Sequence, residues 1–156
     1  MVLKLKVSGR IARPVAEVFE AVADPAKLSQ FFATGPGTKG RLETGATVTW
    51  DFHDFPGAFP VKIDEVVPNE KIVLRWGSQD DAAEGATFVA HDNVVTILFE
   101  GLEDGRTLVT ITEEGWAETP KGIRSTINNT EGWTGMLAAL KVWVEHGINI
   151  RKDFYR

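Results

Sequence analysis

The sequence predicts an α+β fold in which a curved antiparallel sheet wraps around one long C-terminal helix. Three observations carry this. The first third holds an alternating strand and two short helical stretches, the middle is a run of period-two segments, and the last third switches to helical period. A lone helix with so broad an apolar stripe must pack on the concave side of the sheet.

Leu3, Leu5 and Val7 face one way and Lys4 and Lys6 the other, as in a half-buried strand. Pro14 suits a first helical position, and Val15, Val18, Phe19 and Val22 follow at helical spacing. Asp24-Pro25 ends that helix, because a residue before proline avoids the helical region. Pro25 opens a second short turn through Leu28, Phe31 and Phe32, and Gly35-Pro36-Gly37 is a loop.

Five alternating segments follow. Val48, Trp50 and Phe52 share one parity, as do Val61 and Ile63, then Ile72, Leu74 and Trp76, then Val95, Ile97 and Phe99. Leu108 to Thr112 is the return strand after an Asp104-Gly105 hairpin, and Pro68-Asn69-Glu70 is a tight turn. Ser78 to Glu84, with Asp80, Asp81 and Glu84, reads as a solvated acidic loop. Thr119 is the candidate N-cap of the long helix and Pro120 its first residue. Ile123, Ile127, Thr130, Trp133, Leu137, Leu140 and Val144 form its stripe, widened by Met136 and Trp143, with Arg124, Asn128 and Glu131 opposite. Gly147 is the expected C-cap. Residues 1–156 are expected to form one domain, with 149–156 as its tail.

Composition removes several function classes. There is no cysteine, which excludes disulfides and thiol chemistry. The 17 basic residues are scattered among 22 acidic ones, for a net charge of −5, so no basic face for nucleic acid is expected. The N-terminus alternates Lys with apolar residues, unlike a signal peptide, and no apolar run suits an integral membrane span. A cytoplasmic location is the expectation.

The order of elements and several segments resemble a known family. The segments are Ile11-Ala12-Arg13-Pro14-Val15-Ala16-Glu17-Val18-Phe19, then Val67-Pro68-Asn69-Glu70-Lys71-Ile72-Val73-Leu74-Arg75-Trp76, then Glu131-Gly132-Trp133 and Leu137-Ala138-Ala139-Leu140-Lys141. The chain resembles the START-like (SRPBCC) helix-grip superfamily, and within it the homologues of the activator of heat-shock-protein-90 ATPase, C-terminal-domain type. The resemblance implies a cavity between sheet and long helix, used by members for lipids, polyketides or other apolar ligands. It also implies two alternatives: an enzyme of the polyketide cyclase or hydrolase type using the same cavity, and a co-chaperone-like module. A chaperone or a homodimer partner is a further expectation.

The candidate cavity lining follows from strand parity and helix phase: Phe31, Phe32, Trp50, Phe52, Trp76, Phe99, Trp133, Met136, Leu137, Leu140 and Trp143. An ordinary packed core is the competing reading of the same residues. Asp51, His53 and Asp54 with His91 and Asp92 hold metal-ligand residue types, but no spacing fixes three or four ligands, and a regular strand turns His53 to water. The acid/base candidates are Glu113 and Glu114 at a strand end, and Glu65. His146, in the last helical turn, reads as a cap. Arg124 and Asn128, one turn apart, could meet a polar head group only if the helix were rotated or kinked. No nucleophile elbow and no phosphate loop are present, so no catalytic residue is named and neither cofactor nor metal is expected. The reading favours non-catalytic binding of a hydrophobic small molecule or lipid.

Overall fold

The computed structural model describes residues 3–77 and 92–156. The acidic loop and His91 lie outside the described residues. Six strands form one antiparallel sheet in the order β1-β6-β5-β4-β3-β2. They are β1 (Lys4–Ile11), β2 (Thr47–Phe52), β3 (Phe55–Val67), β4 (Lys71–Gly77), β5 (Asp92–Gly101) and β6 (Thr107–Glu114). Two short helices, α1 (Val15–Ala23) and α2 (Pro25–Leu28), follow β1, and α3 (Pro120–His146) follows β6. This is the α+β helix-grip arrangement expected from the sequence.

Local chemistry sets the boundaries. Pro14 precedes α1 in an extended conformation rather than sitting inside it. Asp24 ends α1 and caps α2, its side chain accepting from the Ala26 N–H at 2.9 Å. Asn69 and Gly105 take the positive φ angles of the β3–β4 and β5–β6 turns. Thr119 Oγ1 accepts from the Gly122 N–H at 3.0 Å, and Gly147 closes α3 in the left-handed region. Arg13 then donates to the free carbonyls of Val144 and Glu145, tying the start of α1 to the end of α3.

Two elements depart from the alternation. β3 is longer than Val61–Ile63 suggested and includes Pro56 and Pro60. Its pairing with β4 begins only at Lys62, so among the described residues 55–60 pair with β2 alone, and proline is tolerated on the side without a ladder partner. A register shift between Ile63 and Glu65 explains why Glu65 interrupts the pattern: it sits at a bulge, exposed, 3.1 Å from Lys71.

The core is built from the inward residues of the strands, α1, and the C-terminal half of α3. Val95, Ile97, Val109, Ile111, Ile72 and Leu74 are fully buried, as are Phe31, Trp50 and Leu140. The stripe expected along α3 holds from Trp133 onward, where Trp133, Met136, Leu137 and Leu140 are buried. It fails in the first two turns: Ile123 and Ile127 are 43% and 63% exposed. There the helix overhangs a cavity rather than the core, and Gly122, Thr126 and Asn129 turn inward.

Candidate functional site

The open end of the grip holds a cavity of about 880 Å³ between the ends of β2–β5 and the first half of α3. Its wall is a closed circuit of five aromatic rings. Phe32 stacks on Trp133 at 5.5 Å, and Trp133 meets Trp76 at 5.3 Å. Trp76 meets Phe59 at 6.1 Å, Phe59 meets Phe52 at 5.7 Å, and Phe52 returns to Phe32 at 5.0 Å. All five line the cavity. The rings come from α2's exit, β2, β3, β4 and α3, so one ligand there would touch most of the fold.

Of the residues expected to line the cavity, Phe32, Phe52, Trp76 and Trp133 do. Trp50, Phe99, Met136, Leu137, Leu140 and Trp143 are not among its lining residues. Trp50 stands directly behind the wall, edge-on to Phe32 and Trp76. Phe99 packs edge-on against Phe19, and Trp143 stacks on Phe31. Met136, Leu137 and Leu140 belong to the buried cluster. Phe31 lines a separate niche of about 60 Å³. The shared parity is real, but one face of a sheet spans both a filled core and an open end, and parity alone cannot divide them. Phe59 is not among the residues expected to line the cavity; it lies in β3 between Pro56-Gly57 and Pro60, residue types that weaken a strand signal.

The two wall indoles are anchored from behind by Glu113. This residue is fully buried on the inner face of β6, in step with Val109 and Ile111. Its Oε2 accepts from Trp76 Nε1 at 2.8 Å and Asn93 Nδ2 at 2.9 Å. Its Oε1 accepts from Trp133 Nε1 at 2.8 Å, and Asn129 Nδ2 lies 3.2 Å from both oxygens. A carboxylate offers about four lone-pair sites, so this one is saturated. Glu113 was an acid/base candidate in the sequence; the structure makes it the hub of a hydrogen-bond network. Glu114, its neighbour, is exposed and 3.9 Å from Lys4.

The mouth is polar. Lys62 and Asp92 stand 3.4 Å apart across it, and Arg75 pairs with Asp64. Asn128 and Glu131, read as the outer face of α3, border the opening because of the helix's overhang, whereas Arg124 stays exposed and outside the lining. The segment expected to be a tail forms one side of the mouth. Arg151 is buried and makes a two-pronged ion pair with Asp54, both contacts at 3.1 Å. Its guanidinium lies 4.7 Å from the Phe52 ring centre and 5.3 Å from that of Tyr155. Tyr155 also lines the cavity. Burial raises its phenol above the ordinary value, with Arg151 opposing.

Among the described residues the His53 region brings no set of metal ligands together. Asp54 is spent on Arg151. Asp51 is buried, contrary to its outward parity, because the Gly35–Gly37 loop folds over it and Gly37 N–H donates to its Oδ2 at 2.9 Å. His53 is exposed and hydrogen-bonded to Thr34. Among the described residues no group of three or more His, Cys, Asp or Glu could hold a metal ion. His146 ends α3, exposed.

Residues 12–145 match the family described as activator of Hsp90 ATPase homolog 1-like protein. The chain belongs to this family. Solved structures agree. A protein from Staphylococcus saprophyticus is 30% identical, with a TM-score of 0.76, over 95% of this chain and 96% of its own. DynU16, from the dynemicin biosynthetic locus, is 24% identical with a TM-score of 0.74, over 93% of this chain and 48% of its own. The Aha1 dimer of Colwellia psychrerythraea is 18% identical with a TM-score of 0.71, over 92% of this chain and 97% of its own. The last two likenesses concern the fold alone. Comparison with curated proteins finds no match. Among the described residues no helix is long and apolar enough to cross a membrane.

Proposed function

We propose that this family member binds a hydrophobic, ring-containing small molecule in the aromatic-walled cavity and does so without chemistry. The observation that carries the reading is the closed circuit of Phe32, Trp133, Trp76, Phe59 and Phe52 around about 880 Å³, a volume in the range of small-molecule sites. Flat ring faces offer apolar contact at about 25 cal/mol per Å² buried, with little side-chain entropy to lose. Filled acceptors on Glu113 weigh against the cyclase or hydrolase alternative, since the carboxyl buried beside the cavity has no free lone pair for a substrate proton. The co-chaperone alternative draws on family membership alone.

The test is organic extraction and native mass spectrometry of the purified protein, followed by titration with a solvatochromic naphthalene probe. One probe per chain with blue-shifted emission is expected, lost in Phe59→Arg, which places a charge in the wall. No uptake by the native protein would refute the reading.

A further inference from the structure

The cavity's polar floor has a definite sign, and it narrows the ligand class within the binding reading above, on which this inference rests. Glu113 gathers the floor donors among the described residues. Both indole N–H groups, of Trp76 and Trp133, end on its oxygens, as do the NH₂ ends of Asn93 and Asn129. An amide carbonyl facing a carboxylate is repelled, so the NH₂ ends are held toward Glu113 and the carbonyl ends are turned away. Asn93 and Asn129 both line the cavity. Asn93 Oδ1 is buried without a hydrogen-bond partner, wedged over Gly115. The hydrogen bonds made by the Asn129 side chain use its NH₂ end alone. Glu113 thereby takes both indole N–H groups and one N–H of each amide out of the floor, and leaves the Asn129 carbonyl as an acceptor with no partner among the described residues.

Among the described residues the mouth adds no net cationic attraction. Lys62, Arg75 and Arg151 each have an acidic partner, in Asp92, Asp64 and Asp54, and Glu131 borders the same opening. Among the described residues an anionic ligand therefore finds both indole donors taken and each of these three cations already paired.

We infer that the cavity selects a neutral aromatic molecule carrying a hydrogen-bond donor, a hydroxyl or ring N–H, which the carbonyl of Asn129 receives at the floor. A donor facing the Asn129 carbonyl satisfies both, whereas a ligand whose oxygen is capped, or which bears a carboxylate, leaves that carbonyl facing an acceptor.

The experiment compares three neutral or charged probes on the intact chain: 2-naphthol, 2-methoxynaphthalene and 2-naphthoate. Binding is followed by the ¹H–¹⁵N resonances of the Trp76 and Trp133 indoles, which report the wall and the Glu113 network directly. The inference expects 2-naphthol to bind about three- to tenfold more tightly than 2-methoxynaphthalene, the range of one net hydrogen bond, and 2-naphthoate to bind most weakly. In Asn129→Leu the preference for naphthol over its methyl ether should fall to near unity while the ether still binds. Equal affinities for naphthol and ether in the native chain overturn the inference and leave the binding reading intact. A preference undiminished in Asn129→Leu, or tightest binding of naphthoate, overturns it as well. If no probe moves either indole resonance, the binding reading falls and this inference with it. Should Asn129→Leu fail to fold, the native comparison of the three probes still decides.

Discussion

Replacing Glu113 with glutamine is the sharpest perturbation of this architecture, because it changes one heavy atom and no shape. Glutamine has one carbonyl oxygen and one NH₂ where glutamate has two acceptors. Oε1 and Oε2 each receive one indole N–H at 2.8 Å, Trp133 on the first and Trp76 on the second. Whichever oxygen becomes NH₂ therefore faces an indole. Asn93 and Asn129 can turn their amides to present a carbonyl, but an indole has only a donor and cannot reverse. At least one indole N–H is left buried without an acceptor, and an unsatisfied buried donor costs about 1–3 kcal/mol. With the crowding of two donors added, the loss should be about 2–3 kcal/mol. For a chain of this size that corresponds to a fall of roughly 4–12 °C in Tm. Urea unfolding followed by far-UV circular dichroism measures the first, and the shift of one indole N–H resonance locates it. Glu114→Gln, one residue away and exposed, is the control, expected to change stability by less than about 0.5 kcal/mol. If Glu113→Gln were as mild as that control, with both indole resonances unmoved, the network would not be holding the wall and the reasoning would fail.

Three further outcomes are expected. Arg151→Met leaves Asp54 buried without its partner and should destabilise the chain by about 3–5 kcal/mol in urea, with part recovered by adding Asp54→Leu. Gly132→Ala should stabilise by about 0.5–1 kcal/mol, since a Cβ there meets nothing within 4 Å and alanine favours helix, whereas at Gly135 the same change strikes the Tyr155 hydroxyl and should release residues 148–156 to limited proteolysis. Tyr155 is the chain's one tyrosine, so absorbance at the phenolate band reads it alone; its midpoint should lie above that of free tyrosine. A folded-state value raised in this way contributes stability that is complete below the unfolded value, about 10, and is lost as pH rises through the folded one, so alkaline unfolding should be steeper than in Tyr155→Phe.

The fold was legible in the sequence because its signals are local. Alternation marks β1, β4, β5 and β6, and Thr119-Pro120 and Gly147 bracket α3. The site was legible only in part, because what defines it is non-local. Asn129 is polar on a helix whose apolar count put Ile123 and Ile127 inside. It turns inward because its partner is a carboxyl sixteen residues back, on another element. The signal for that partner did exist: the parity of Val109 and Ile111 continues to Glu113, and Asn93 stands in step with Val95. Reading parity as a rule about position rather than about apolar residues would have placed both inside. Arg151 gave no such signal. A basic residue in a segment without periodicity reads as solvated until Asp54, 97 positions away, is seen to face it.

The same network bears on why so large a cavity stands open at all. Aromatic side chains lining a void lose packing contacts on their exposed faces, and an interior able to close over such a gap gains by doing so. Trp76 and Trp133 could close this one by swinging inward. They are held by their edges instead, each indole N–H fixed on Glu113, and release would leave buried donors and acceptors unpaired. On the other side Arg151 holds Phe52 and Tyr155 under its guanidinium while anchored on Asp54. The two buried polar clusters thus act as struts at opposite sides of an apolar space. Where buried polar groups only filled a core, hydrophobic residues of similar volume would serve as well or better. Their placement behind the aromatic wall, with the acceptor end of Asn129 left over, fits a cavity kept open for an occupant that brings its own hydrogen-bond donor.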